Sequence, residues 1–209
     1  LDLLIFFITF ELILIPMFLI ISRYGSKYQY FLPRLEAGIR FFIYTMIGSI
    51  LMFLGIIFIY IKFGTTNNEL LNIKINEMII INDLNIITLL KIIWIFLFFS
   101  FLIKIPMFPL HTWLPLAHSD APTIGSIILA AILLKLASIG ILRYSLNIYQ
   151  STPIKENFNI EIIEETYNIF LPIIYILASI SIIYCSILAL RGLFDFKKII
   201  AYSSVVHMN

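Results

Sequence analysis

Long runs of hydrophobic residues, separated by short polar segments, dominate the pattern along this chain of 209 residues. A helix of about 20 apolar residues is long enough to cross the hydrocarbon core of a bilayer. Runs of this kind predict membrane-spanning helices at about residues 3–22, 39–61, 86–110, 123–143 and 168–190, with an incomplete one at 197–209. The sequence therefore predicts an all-α, polytopic transmembrane helical bundle.

The third hydrophobic run contains two prolines near its end, Pro106 and Pro109. Proline lacks a backbone N–H and clashes with the preceding turn, so we expect the helix to break around residues 105–110. Lys104 lies immediately before this break, and His111 follows it. Broken helices recur where transporters bind ions, because their exposed backbone groups need polar partners. The alternative is a simple kink, with Lys104 reaching toward the membrane surface.

Three charged residues, Glu11, Lys104 and Lys135, lie inside these apolar runs. A charge at the bilayer centre costs roughly 3–15 kcal/mol, and such residues mark ion pathways by default. Desolvation can change the protonation state of lysine, whereas arginine stays charged, so we predict proton translocation. A Glu11–Lys104 pair would hold Lys104 protonated until the pair weakens. Structural ion pairing is the alternative for Glu11 and Lys135.

The charges of the connecting segments predict the orientation in the membrane. Lys and Arg exceed Asp and Glu in residues 22–40 and 191–198, which places both segments on the inner side. The segments 62–91 and 143–165 are richer in acids and fall on the outer side, while the short 111–122 link lies inside. Alternating residues around 72–76 are typical of a short strand or hairpin on the outer surface.

The amino-acid composition excludes several classes of function. Hydrophobic residues make up 61% of the chain and charged residues 12%, far from the balance of soluble proteins, and the mean hydropathy is +1.04. The net charge of +2 is small and the basic residues are dispersed, which argues against nucleic acid as a partner. A single cysteine, Cys185, excludes an internal disulfide and a cysteine-held iron–sulfur or zinc site. His111 and His118 lack the arrangement of haem ligands. We therefore predict no redox centre, cofactor or metal in this chain.

Residues 104–122 read KIPMFPLHTWLPLAHSDAP and are followed by Gly125-Ser126, LAA at 129–131 and LLK at 133–135. This sequence closely resembles the subunit 4 family of mitochondrial NADH dehydrogenase. Members of that family are antiporter-like, proton-pumping subunits of respiratory complex I. The likeness extends to Phe10-Glu11-Leu12 and to residues 195–208. Departures from the family pattern are Asp120 in place of glutamate, Ala137-Ser138 in place of two glycines, and Asn209 in place of glycine.

The resemblance implies an antiporter-like, inverted-repeat fold of which residues 1–209 form one part, from the fifth helix to the start of the tenth. Glu11 matches the glutamate of the fifth helix, Lys104 the lysine of the broken seventh, Lys135 the lysine of the eighth, and His207 the histidine of the tenth. These residues would carry protons, although a packing role is the alternative for His207. His111, Pro106 and Pro109 would support the broken helix or proton entry.

The resemblance also implies a subunit of the proton-translocating NADH:ubiquinone reductase of the mitochondrial inner membrane. NADH, FMN, iron–sulfur clusters and ubiquinone would then belong to the complex, with electron transfer in other subunits. Expected partners are the lipid bilayer, the subunit 2-like and subunit 5-like membrane subunits, and separate chains that complete the fold. Two alternatives remain: a component of a multisubunit Na⁺/H⁺ antiporter, and a structural scaffold without a working channel.

Overall fold

A computed structural model describes residues 2–25, 31–80, 84–145, 160–191 and 195–209, and they form helices throughout most of their length. The only pairing of extended residues among them is an isolated bridge between Asp2 and Asn67. The helices are α1 (Leu3–Tyr24), α2 (Phe31–Phe63), α3 (Asn68–Ile80), α4 (Leu84–Lys104), α5 (Trp113–Asp120), α6 (Thr123–Ser145), α7 (Ile160–Arg191) and α8 (Phe196–Met208).

Four stretches of the described helices are long and apolar enough to cross a bilayer, namely Leu3–Tyr24, Arg34–Phe63, Thr123–Ser145 and Phe170–Arg191. Each overlaps one of the hydrophobic runs in the sequence. Between the second and third of them, α4 ends at Lys104 and α5 begins at Trp113, so the helix is broken where the two prolines predicted it. The chain is an all-α membrane protein.

Two hydrophobic clusters hold the bundle together. The first joins α2, α3, α4 and α7, where Trp94 stacks on Phe98 and Phe170 with ring centroids 4.7 and 4.2 Å apart. The second joins α1, α2, α5 and α6, with the Phe41 and Trp113 rings 5.6 Å apart at its centre. The second cluster places α5 against α2, next to the break in the helix.

The connecting segments lie at the two ends of the bundle, in the grouping that their charges predicted. At one end, Arg34 donates to the Gly25 carbonyl over 3.4 Å, and Lys197 donates to the Ala121 carbonyl over 3.0 Å. At the opposite end, Asn68 on α3 donates to the Arg143 carbonyl of α6 over 3.1 Å. Gly25 also lies against the Asp120 carbonyl, next to Ala121, so the two segments with excess positive charge meet at a single end, which we call the inner end.

The strand or hairpin expected around residues 72–76 is wrong, because this segment lies within helix α3. The Asn67 side chain accepts a hydrogen bond from the Glu69 amide at 3.1 Å, which caps the start of the helix. Leu71 and Ile75, one turn apart, are buried against the first cluster. Burial at helical spacing outweighs the local alternation that suggested a strand.

The link at residues 111–122 also differs from the sequence expectation. Most of it is helix α5, whose Trp113, Leu114 and Ala117 are buried in the second cluster. The break in the chain is therefore confined to residues 105–112, where a short 3₁₀ turn, Leu110–Thr112, leads into α5. A second, short helix thus continues the broken one.

Candidate functional site

An ion pair between α1 and the end of α4 forms the centre of the candidate site. The Lys104 Nζ lies 3.2 Å from Oε1 of Glu11, and the side chains are 2% and 21% exposed, respectively. The same Nζ lies 3.7 Å from the centroid of the Phe10 ring, where the negative face of the ring attracts a cation. The pair hypothesised from the sequence is therefore formed, and an aromatic face shields it.

The break in the helix fixes the position of Lys104. Met107 donates its amide to the Leu102 carbonyl at 3.3 Å, five residues back instead of four. The Ile103 carbonyl, which Met107 would pair with in a regular helix, accepts the Trp113 indole N–H at 3.1 Å. A side chain of α5 thus replaces a lost backbone bond beside Lys104. Of the two prolines at the break, Pro106 is buried and Pro109 is exposed.

His111 lies in the 3₁₀ turn within the break and is buried, with 4% of its surface exposed. Its ring packs between Phe108 and Tyr184 of α7, at centroid distances of 5.9 and 5.3 Å. The Nδ1 atom has no hydrogen-bond partner in the part of the chain that the structure describes. The neighbouring Thr112 donates to the Tyr44 hydroxyl of α2 at 3.4 Å. The break is therefore linked to both α2 and α7.

Lys135 and His207, the other predicted proton carriers, lie on α6 and α8 with exposed side chains. Within the described ranges, neither forms an ion pair or side-chain hydrogen bond with Glu11 or Lys104. A π-helical turn, Leu129–Leu133, ends two residues before Lys135, and such turns are frequent at functional sites. The structure thus brings together Glu11 and Lys104, while the proton-carrying roles of all four residues stay predictions.

A charged cleft at the inner end was not predicted from the sequence. It has a volume of about 120 Å³ and lies between α2 and α5, lined by Glu36, Ala37, Arg40, Leu116 and Asp120. Arg40 and Glu36 form an ion pair of 2.5 Å, and Asp120 is 4% exposed. In the sequence, the cleft was indicated only by the spacing of Glu36 and Arg40, which lie one helical turn apart. Helix α5, which forms its other wall, was not predicted.

Metal binding finds no support in the geometry of the described residues. Nowhere within 2–25, 31–80, 84–145, 160–191 and 195–209 do three His, Cys, Asp or Glu side chains group closely enough to hold a metal ion. The candidate site itself offers a buried ammonium and a carboxylate, which can exchange a proton.

Several known sequences similar to this chain carry the same name. A chain of Marchantia polymorpha named NADH-ubiquinone oxidoreductase chain 4 is 44% identical over 210 residues, covering 100% of this chain and 37% of its own length. The chains of Chondrus crispus and Arabidopsis thaliana with the same name are 44% and 43% identical over 209 and 210 residues. This chain therefore spans about 37% of the length of these relatives.

Solved structures and a family model agree on the fold. A chain of respiratory complex I from Thermus thermophilus superposes with a TM-score of 0.73 at 25% identity, over 99% of this chain and 38% of that one. A chain of an archaeal membrane-bound sulfane sulfur reductase superposes with a TM-score of 0.77 at 21% identity, which indicates a common fold. The model for the transmembrane region of NADH:quinone oxidoreductase and Mrp antiporter proteins matches residues 1–209. The chain therefore belongs to the NADH:quinone oxidoreductase/Mrp antiporter family of membrane proteins.

Proposed function

We propose that this chain belongs to a proton-translocating membrane-arm core subunit of respiratory complex I, corresponding to subunit 4. The observation that carries this proposal is the Glu11–Lys104 ion pair at a helix break inside an apolar bundle. The shared name of the relatives from three organisms favours complex I over other members of the family.

The geometry supports a role in proton transfer. Burial disfavours the charged form of lysine, whereas the nearby carboxylate and the Phe10 ring favour it. The protonation of Lys104 therefore depends on how closely Glu11 approaches it. A movement of α1 relative to the broken helix would weaken the pair and release the Lys104 proton. We propose Lys135 as the next carrier and His207 as the one after it.

In this proposal, other subunits of the complex carry out electron transfer. In this proposal NADH, FMN, iron–sulfur clusters and ubiquinone act in other subunits, and this chain contributes only to proton movement. Its surroundings are the mitochondrial inner membrane, the neighbouring subunit 2-like and subunit 5-like chains, and the polypeptide that supplies the rest of the subunit 4 fold. The exposed Lys135 and His207 face outward from the described bundle, where such additional helices would cover them.

Transport in sealed vesicles separates complex I from the alternative, a multisubunit Na⁺/H⁺ antiporter. Everted membrane vesicles that contain the assembled complex are given NADH, with and without a complex I inhibitor and with and without sodium. We expect proton uptake that requires NADH, stops with the inhibitor and does not require sodium. Sodium-driven proton movement without NADH would favour the antiporter instead.

Replacing Lys104 separates a working channel from a structural scaffold. We expect Lys104→Met to abolish the pumping contributed by this subunit while the complex still assembles, because methionine fills the same space without a transferable proton. The matched control is Lys62→Met, at the exposed end of α2, which should pump as the wild type does. Lower assembly with unchanged pumping per complex would instead support the scaffold.

A further inference from the structure

We propose that Phe10 is a positioning residue for proton transfer, whose ring holds the Lys104 ammonium in place after the Glu11 carboxylate has moved away. The ring holds lysine only while it carries a proton, so the side chain is fixed when charged and free when neutral. This inference rests on the proposed function and adds to it a residue that has no ionisable group.

The Lys104 ammonium has two partners among the described residues, and they differ in kind. Glu11 accepts a hydrogen bond from Nζ at 3.2 Å, and the centroid of the Phe10 ring lies 3.7 Å from the same atom. An ammonium has three N–H donors, so both contacts can be made at once. The attraction between a cation and a ring face is stronger where water is excluded, and both Lys104 and Phe10 are buried.

An aromatic cluster drawn from three helices fixes the Phe10 ring. Only 1% of Phe10 is exposed, and its ring contacts Phe6 of α1 at a centroid distance of 6.1 Å. Phe6 in turn contacts Phe101 of α4 at 6.4 Å and Tyr144 of α6 at 5.1 Å. Side chains in a close-packed interior sit in defined rotamers. The ring therefore stays beside the end of α4 whichever way the neighbouring carboxylate points.

The Glu11 carboxylate is less constrained than the ring. Its side chain is 21% exposed, and Lys104 is its one hydrogen-bond and ion-pair partner in the described parts of the chain. Rotation of the Glu11 side chain would therefore break a single contact and open the pair without moving Phe10. The ammonium would lose the carboxylate and retain the ring.

The ring distinguishes the two protonation states of lysine. The quadrupole of an aromatic ring attracts a cation, whereas a neutral amine lacks the charge on which this attraction depends. When the N–H bond breaks, its electron pair stays on Nζ and the proton passes to the next carrier, for which we proposed Lys135 in its neutral form. Lys104 then loses the attraction of the ring, and its side chain becomes free to move.

Two substitutions that remove the ring face test this role in the assembled complex. Phe10→Leu keeps an apolar side chain, and Phe10→Met fills the space with an unbranched one, so a test remains if one of them does not assemble. We expect both to lower the number of protons pumped per electron, because charged Lys104 is no longer held when the pair opens. The matched control is Phe98→Leu, at a buried phenylalanine stacked on Trp94 in the first cluster, which should pump as the wild type does.

The pH dependence of pumping gives a readout that packing alone would not change. The ring stabilises protonated Lys104, so loss of the ring lowers the protonated fraction at a given pH, and pumping should decline at a lower pH than in the wild type. The expected displacement is about one pH unit, as for a cation–π contact in a buried site. Glu11 is the one charged side chain that the described elements place against Nζ, while the ionisable Tyr144 and His111 pack against other rings. NADH oxidation, measured in parallel, serves as the reference.

Phe10→Tyr separates the ring face from the quality of the packing. It retains the face and adds a hydroxyl that the buried cluster must accommodate, so stability should fall while the pH profile of pumping stays that of the wild type. A displaced profile in Phe10→Leu and Phe10→Met, with a normal one in Phe10→Tyr and Phe98→Leu, supports the inference. Normal pumping in Phe10→Leu or Phe10→Met, or the same displacement in all the Phe10 variants, would overturn it.

The same series separates this inference from the proposed function. Normal pumping by the Phe10 variants, with pumping lost in Lys104→Met, rejects the role of the ring and leaves proton translocation intact. Normal pumping by Lys104→Met rejects the function on which the inference rests.

Discussion

Neutralising Glu11 should uncouple this subunit from proton movement while leaving its fold intact. The pair is 3.2 Å apart, which corresponds to an attraction of roughly 5 kcal/mol at an effective dielectric constant near 20. Glu11→Gln retains the size of the side chain and an oxygen that can accept from Lys104, but it removes that attraction. Charged Lys104 then becomes less favourable by nearly four orders of magnitude in equilibrium, so Lys104 is rarely protonated.

Pumping per electron is the quantity that reports this change. The purified complex carrying Glu11→Gln is reconstituted into liposomes, and proton uptake is recorded together with NADH oxidation and ubiquinone reduction. We expect a lower ratio of protons to electrons with the complex assembled in normal amount. The control is Glu69→Gln, which removes an exposed acid at the start of α3 and should leave the ratio unchanged.

A second substitution at the same position separates charge from shape. Glu11→Asp keeps the carboxylate but shortens the side chain by one carbon, so the distance to Lys104 increases and pumping should be intermediate. A normal ratio of protons to electrons in Glu11→Gln, in a fully assembled complex, would refute the reasoning, because the ion pair would then have no part in transport.

Three further substitutions test individual packing contacts and hydrogen bonds of the bundle. Gly140→Ala places a methyl group against the Phe101 ring, and such overpacking should cost about 1–3 kcal/mol and lower the thermal unfolding midpoint. Trp113→Phe leaves the Ile103 carbonyl without its indole donor, at about 1–3 kcal/mol, and should speed hydrogen exchange of amides at the break. Lys74→Met removes a 2.7 Å hydrogen bond to the end of α2, so amides of α3 should exchange faster while those of α5 do not. Unchanged melting or exchange in a given variant would contradict the contact concerned.

The membrane helices and the break could be predicted because each depends on a strong local signal. Long apolar runs have few alternatives to membrane helices, and Pro106 and Pro109 remove backbone donors wherever they occur. The Glu11–Lys104 pair could be anticipated for a similar reason, since an isolated charge in such surroundings needs a partner. Sequence reasoning thus identified the pair without knowing how the helices pack.

Helices α3 and α5 were not predicted from the sequence because packing against other helices determines their structure. Residues 72–76 alternate locally like a strand, but the cap at Asn67 and the burial of Leu71 and Ile75 favour a helix. Helix α5 is short and contains Pro115 and three polar residues at its end, so its burial against α2 becomes evident only in three dimensions. The cleft lies between α2 and α5, so it could not be foreseen without α5.

The burial of Lys135 differs from the expectation that its sequence position gives. Its position in an apolar run predicted a buried carrier, yet in the described bundle the side chain is exposed beyond a π-helical turn. Exposure of a lysine on a membrane helix is costly in lipid, and additional helices that cover Lys135 would remove this cost. The proposed transfer from Lys104 to Lys135 and His207 would therefore depend on contacts outside the described bundle.

A high-resolution experimental structure of the assembled complex, with ordered water resolved, tests the central claim most directly. We predict a connected series of water molecules and polar side chains from the Glu11–Lys104 pair to Lys135. Lys135 facing lipid acyl chains, with no water between it and Lys104, would contradict the account.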